Sequence, residues 1–302
     1  MFIIRYRTAF FSLTGALVAL ALIALGAFDL RFSIDFTGGS LVQVTYPSPR
    51  PSAEVLHSSL DAAGFANYSL REAGTNDYIL RAGTMTAAER AALPSTLSVK
   101  GKYLATIEQQ NEIGPTIGAE LRSKALLSVA LVMLCILLFI AFAFRKVSKP
   151  VSSWVYGLVA LVTLVHDVII PVGFFAILGH FTGASVDTLF VTAVLTVLGF
   201  SIHDTIVVFD RTRENLRLNQ EHNRKEDFAD TAGRSLQQTF VRSINTSLTV
   251  VFTLLVLFFL GPASTRDFAL TLLVGIIAGT YSSIFLATPL LVTIERYRTK
   301  RK

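Results

Sequence analysis

Cysteine is almost absent. The single one, Cys135, falls inside a long apolar run, so no internal disulfide is available and each folded part must stand on its own core. Charge is sparse as well: Asp, Glu, Lys and Arg make up 16% of the 302 residues, against about a quarter in soluble domains. There is no Gly-rich phosphate loop, no Gly-x-Ser-x-Gly elbow and no His-Glu-x-x-His helix, which removes the commonest readings as a nucleotide hydrolase, serine hydrolase or zinc peptidase. The two His-Asp pairs are adjacent rather than four apart and do not share a helical face for a metal. An enzyme is not expected, nor a cofactor or metal ion. Long runs of like charge are also missing. The formal charge of +6 is spread over short links, not gathered into the basic stripe that would bind nucleic acid.

What the chain has in abundance is apolar length. Hydrophobic residues make up 52% and the mean hydropathy is +0.56. A bilayer core needs about 20 such residues per helix, and five stretches starting near Thr8, Ala125, Val151, Ile244 and Phe268 meet that length. A sixth, from about Val186 to Phe209, is interrupted only by His203 and Asp204. The first run, Thr8 to Phe28, exceeds the roughly 7 to 15 residues of a signal-peptide core and reads as a retained span.

Arg5 and Arg7 precede the first span; Arg145, Lys146 and Lys149 separate the second from the third. Arg211 to Arg234 fill the link after the fourth, and Arg296 to Lys302 close the chain, whereas the links near Ser185 and Arg266 are poor in base. The positive-inside rule then places both termini in the cytoplasm of a multi-pass protein.

Three parts follow: residues 1–29, with the first span; 30–118, a polar stretch on the outer side; and 119–302, five further spans with a cytoplasmic link at 210–240. The link reads as helix near the membrane surface. The outer stretch predicts strands at Leu41–Tyr46, Tyr68–Glu72, Tyr78–Arg81 and Tyr103–Gln109, with helices from Ala53 to Ala63 and after a cap at Thr84. The fold class expected is therefore an α-helical membrane protein of six transmembrane helices, with an α+β, ferredoxin-like external domain inserted between spans 1 and 2.

Ionisable residues inside a span cost a few kcal/mol and mark partners, cavities or ion paths. Two pairs stand out: His166-Asp167 in the third span and His203-Asp204 in the fourth. At about 1.5 Å per residue Asp204 lies about 10 Å inside Arg211, while Asp167 lies about 25 Å from Pro150 and nearer the outer half. Either pair can be ordinary helix–helix glue. Asp204 asks for more, and Arg242, opening the fifth span, is the cation placed to snorkel towards it.

The run GFSIHDTIVVFDRTRENLR at 199–217, RSINTSLT at 242–249 and GTYSSIFLATPLL at 279–291 resemble the SecF family of bacterial protein-export subunits. So do DFTGGSLV at 35–42 and IGPTIG at 113–118. The resemblance runs through nearly the whole chain in order. It implies an RND-superfamily-like complex in the inner membrane, in which SecD is the partner and the SecYEG channel, with YajC and YidC as further candidates, is the site of action.

In that family's terms the proton motive force completes export of an unfolded preprotein on the outer side, among membrane lipids. The family's intramembrane Asp and Arg fall on Asp204 and Arg242. Where many relatives carry Asn, this chain has His203, a second titratable group beside the carboxylate. Gly38 and Gly39, with Gly114, Pro115 and Gly118, read equally as tight connections or as hinges for the outer domain. An RND-type exporter of small molecules or lipids would be expected to carry two large external domains. A non-transporting translocon scaffold would tolerate neutralisation of Asp204.

Overall fold

The structure, a computed structural model, describes residues 2–299 except 48, 67 and 146–149. Lys146, Lys149, Lys300, Arg301 and Lys302, used in the charge argument, lie outside the described residues. A short turn of helix, α1 (Phe2–Arg5), leads into α2 (Arg7–Phe28), and α3 (Ile34–Thr37) follows. The inserted domain holds β1 (Gly39–Thr45), α4 (Ala53–Ala62), β2 (Ser69–Ala73), β3 (Asp77–Ala82), α5 (Ala87–Leu97) and β4 (Thr106–Ile113). Then come α6 (Pro115–Ala143), α7 (Ser153–Thr182), α8 (Thr188–Glu221), α9 (Phe228–Leu260), α10 (Arg266–Ser282), a π-helical turn at Ser283–Ala287 and α11 (Thr288–Thr299). Among the described residues six helices are long and apolar enough to cross a membrane, the last being α10 to α11 taken together.

The inserted domain is strand, helix, strand, strand, helix, strand, and its four strands form one antiparallel sheet in the order β2-β3-β1-β4. Alternation does the folding. Val42, Val44, Leu80, Leu56, Leu60, Leu93 and Leu97 are all fully buried between the sheet and the two helices, each contributing about 1.5–3 kcal/mol by leaving water. Tyr46 and Tyr78 join them because their hydroxyls donate to the carbonyls of Leu97 and Pro51 at 2.9 Å each. Two expectations shift. The cap of α5 is Thr86, not Thr84: Thr86 Oγ1 accepts from Glu89 N at 3.2 Å while Glu89 reaches back to Thr86 N at 2.7 Å, a capping box that Thr84 is out of register to make. The last strand runs from Thr106 to Ile113, later than expected, because β1 sets its register by pairing Gly39 with Ile113.

The domain is seated on the helix ends. Ser33 N donates to Val186 O at 2.8 Å and Val186 N to Arg31 O at 2.7 Å, while Asp35 accepts from the Thr188 N–H and hydroxyl at 2.9 Å each. Arg71 pairs with Asp267 at 2.8 Å. Arg81 lies beneath with a buried guanidinium whose affinity for its proton is lowered by burial, then by Arg71. Asp187 caps α8 through Phe190 N at 2.7 Å, and burial raises its carboxyl above the usual range.

The expected surface helix between spans four and five is instead the continuation of both. α8 runs on to Glu221 and α9 starts at Phe228. The cause is a polar zipper. Asn215 donates to Ser235 at 2.8 Å and Asn219 to Thr231 at 3.0 Å, with Arg234 Nη1 on Asn215 Oδ1 at 3.1 Å and Arg234 Nη2 on Glu226 at 2.5 Å. That last contact holds the Glu226 carboxyl down to about 2.

Candidate functional site

The helix core carries two buried carboxylates, each on its own set of hydroxyls. Asp167, on α7, is fully buried. Its Oδ1 meets His166 Nδ1 at 2.8 Å, and its Oδ2 accepts from Ser282 Oγ at 2.9 Å and from Ser201 Oγ. Three helices, α7, α8 and α10, therefore meet on one carboxyl group. His166 Nδ1 is held by this carboxyl group, and His166 Nε2 is buried without a hydrogen-bond partner among the described residues. His166 is thus more than a spectator of the helix contact, and its ring lies 6.3 Å from that of Tyr281.

Asp204, on α8, is 3% exposed. Its Oδ2 accepts from Ser247 Oγ at 3.3 Å, and Ser247 accepts in turn from Thr280 Oγ1 at 2.6 Å. Beside them Thr205 and Ser283 share a hydrogen bond at 2.8 Å, and Ser283 also donates to Ser201 O at 3.3 Å. Ser283 is the first residue of the π-helical turn, a local widening often found where a helix carries function. Gly279 makes room for the arrangement: a Cβ there would lie 2.8 Å from Ser201 Cβ.

Arg242 lies within electrostatic reach of Asp204 but makes no direct contact in this cluster. Among the described residues no ion pair joins it to Asp204, and its side chain is exposed on the outside of α9. His203 is exposed likewise, so the residue next to Asp204 in sequence turns away from it. The reason is the helical period. Successive residues lie about 100° apart, and Ser243 and Ser247, four apart on one face, are the α9 residues that turn inward and are buried. The partners found, Ser201, Ser247, Thr280, Ser282 and Ser283, were not anticipated. Their signal was the density of small hydroxyl residues within RSINTSLT and GTYSSIF.

The glycines do come together. A Cβ on Gly38 would lie 2.7 Å from Pro115 Cα, and one on Gly118 would lie 2.8 Å from Gly38 N and 3.1 Å from Phe36 C. A Cβ on Gly39 would lie 2.5 Å from Ala82 O, whereas one on Gly114 would face open space. The two glycine motifs are thus one backbone-on-backbone contact at the foot of the inserted domain.

Residues 96–297 match the family described as protein export membrane protein SecD/SecF, C-terminal, and residues 23–46 match the SecD/SecF GG motif. Protein translocase subunit SecF of Thermobaculum terrenum is 42% identical over 97% of this chain and 93% of its own length. Its counterpart from Anaerolinea thermophila is 38% identical over 97% and 94%. Among solved structures, SecDF from Thermus thermophilus, described as a translocon-associated membrane protein, is 33% identical and superposes with a TM-score of 0.82 over 98% of this chain. SecDF in a super-membrane-facing form is also 33% identical, with a TM-score of 0.66 over 99%. The chain spans 38% and 39% of those two SecDF chains.

Proposed function

Because the chain belongs to the SecD/SecF family of protein-export membrane proteins, we propose that it is the SecF-type subunit of a Sec translocase that works with a SecD-type partner. Together they use the proton motive force to drive late steps of preprotein export at the SecYEG channel. The fused SecDF relative supports the partnership, since there a part like this chain makes up 38% of a single longer chain.

The observation that carries the reading is the placement of three residues around the fourth span. Asp204 is buried among the α9 hydroxyls, with Ser247 Oγ at 3.3 Å, while Arg242 and His203 are exposed. Charge presented to lipid costs about 2.5–3.5 kcal/mol at mid-membrane, so this face asks for a protein neighbour. We assign Asp204 as the proton carrier and Arg242 as the cation that approaches it when the partner moves. His203 takes its place on the same interface. The differing fits to two SecDF structures at equal identity, TM-scores of 0.82 and 0.66, support a protein with more than one arrangement of its parts.

A cysteine placed at the exposed Asn245, three residues beyond Arg242, is expected to crosslink to the SecD-type subunit in native membranes. Crosslinks to no protein at all, with the partner present, would sink the interface assignment. For orientation we adopt the charge argument: the termini lie in the cytoplasm and the inserted domain, which we read as ferredoxin-like from its element and sheet order, lies outside. A cysteine at Asn76 should react with an impermeant thiol reagent from outside intact cells, and one at Asn223 should not; the reverse pattern would invert the topology.

A further inference from the structure

On the domain side of the membrane, between α6, α7 and α8, an apolar groove of about 350 Å³ opens to the exterior of the bundle. Phe36, Met133, Val172, Phe190 and Val194 line it, and Leu126 and Ala130 at its lip are exposed. Its single charged lining residue is Arg122, at one end, with its guanidinium 4.7 Å from the centre of the Phe32 ring. Among the described residues no carboxylate pairs with Arg122. Lys124, two residues further along the same helix, is by contrast paired with Glu120 at 2.7 Å.

The dimensions choose the occupant. Arg122 and Met133 are eleven residues apart on α6, about 16 Å along the axis, which is about half of a bilayer core of roughly 30 Å. The groove therefore runs from one interface to the midplane, the depth of one leaflet. A hydrocarbon chain from one leaflet matches that length and the apolar lining, and Arg122 at the interface end supplies a cation for an anionic head group. We propose that the groove holds one acyl chain of an anionic phospholipid from the domain-side leaflet, with the phosphate on Arg122. Phe32, stacked on the guanidinium, holds that head group's partner in place, and no polar group of the lipid needs to enter the slot.

Native mass spectrometry of the detergent-purified full chain, incubated with phosphatidylglycerol or phosphatidylcholine of equal chain length, tests this. One interfacial cation is worth about a fivefold preference for an anionic lipid, so the wild type should retain phosphatidylglycerol about fivefold better. Arg122→Ala should abolish the preference, and Lys124→Ala should keep it. Ala130→Trp, filling the lip, should lose both lipids while circular dichroism and thermal unfolding report a folded protein. Equal retention of the two lipids by the wild type overturns the proposal, as does a preference that survives Arg122→Ala. Displacement of the lipid by inorganic phosphate alone would reduce the site to an anion contact and overturn the acyl-chain assignment. A cysteine at Ala130 that crosslinks to a protein in native membranes would give the groove a protein cover and overturn it as well.

Discussion

Asp204→Asn is expected to leave the protein inserted and bound to its partner and to lower gradient-dependent export by more than about tenfold, which corresponds to about 1.4 kcal/mol on a rate. Asn keeps the shape and can still accept from Ser247 Oγ, now at 3.3 Å, but it exchanges no proton. Asp167→Asn separates this from a general injury to the core. Asp167 is hydrogen-bonded to three side chains on three helices, and placing an amide N–H₂ among those partners leaves buried groups unpaired, at about 1–3 kcal/mol. That variant should melt at a lower temperature and accumulate less, with export falling in proportion to the protein present. Inverted vesicles loaded with preprotein, driven by a proton gradient and separately by a sodium gradient, make the measurement. Normal proton-driven export by Asp204→Asn would sink the motor assignment in favour of a scaffold, and export that follows sodium alone would replace the proton as the coupling ion.

The sequence made the spans legible because bilayer thickness demands a run of apolar residues that no other fold needs, and the inserted domain legible because its strands alternate from Val42 to Val44 to Tyr46. It misjudged the ends of α8 and α9. Asn215, Asn219, Thr231 and Ser235 read as solvated helix, yet they are buried against one another, a pairing that depends on two segments far enough apart in sequence to be invisible locally. The same limit governed the site. Position along a helix was readable at about 1.5 Å per residue, and Asp204 is a buried residue of α8. Its azimuth relative to α9 was not readable, and a pairing with Arg242 was expected where Ser247 stands. Periodicity held a partial remedy: Ser243 and Ser247 share a face that excludes Arg242, and the face that buries Asp204 excludes His203.

Gly118→Ala is expected to destabilise the protein although helix propensity argues the other way. Gly118 lies in the first turns of α6 with ordinary helical geometry, where Ala would ordinarily gain about 1 kcal/mol. Here the added methyl would meet Gly38 N at 2.8 Å and Phe36 C and O at 3.1 and 3.2 Å, all backbone atoms that cannot turn aside. Overpacking of this kind costs about 1–3 kcal/mol, so the net change should be a loss and the melting temperature should fall by a few degrees. Gly38→Ala adds a second penalty, since its φ of 77° costs a non-glycine residue about 1–2 kcal/mol, on top of the approach to Pro115 Cα at 2.7 Å. Gly114 divides the two roles read for these motifs. It caps α6 with φ −66° and has open space where a Cβ would go, so Gly114→Ser should fold at least as well as the wild type, Ser being the better N-cap. If the contact is only a tight connection, Gly114→Ser exports normally. If the domain rocks on this loop, the same variant keeps its melting temperature and exports more slowly, because Ser withholds backbone conformations that glycine allows. A melting temperature unchanged in both Gly118→Ala and Gly38→Ala would refute the packing argument itself.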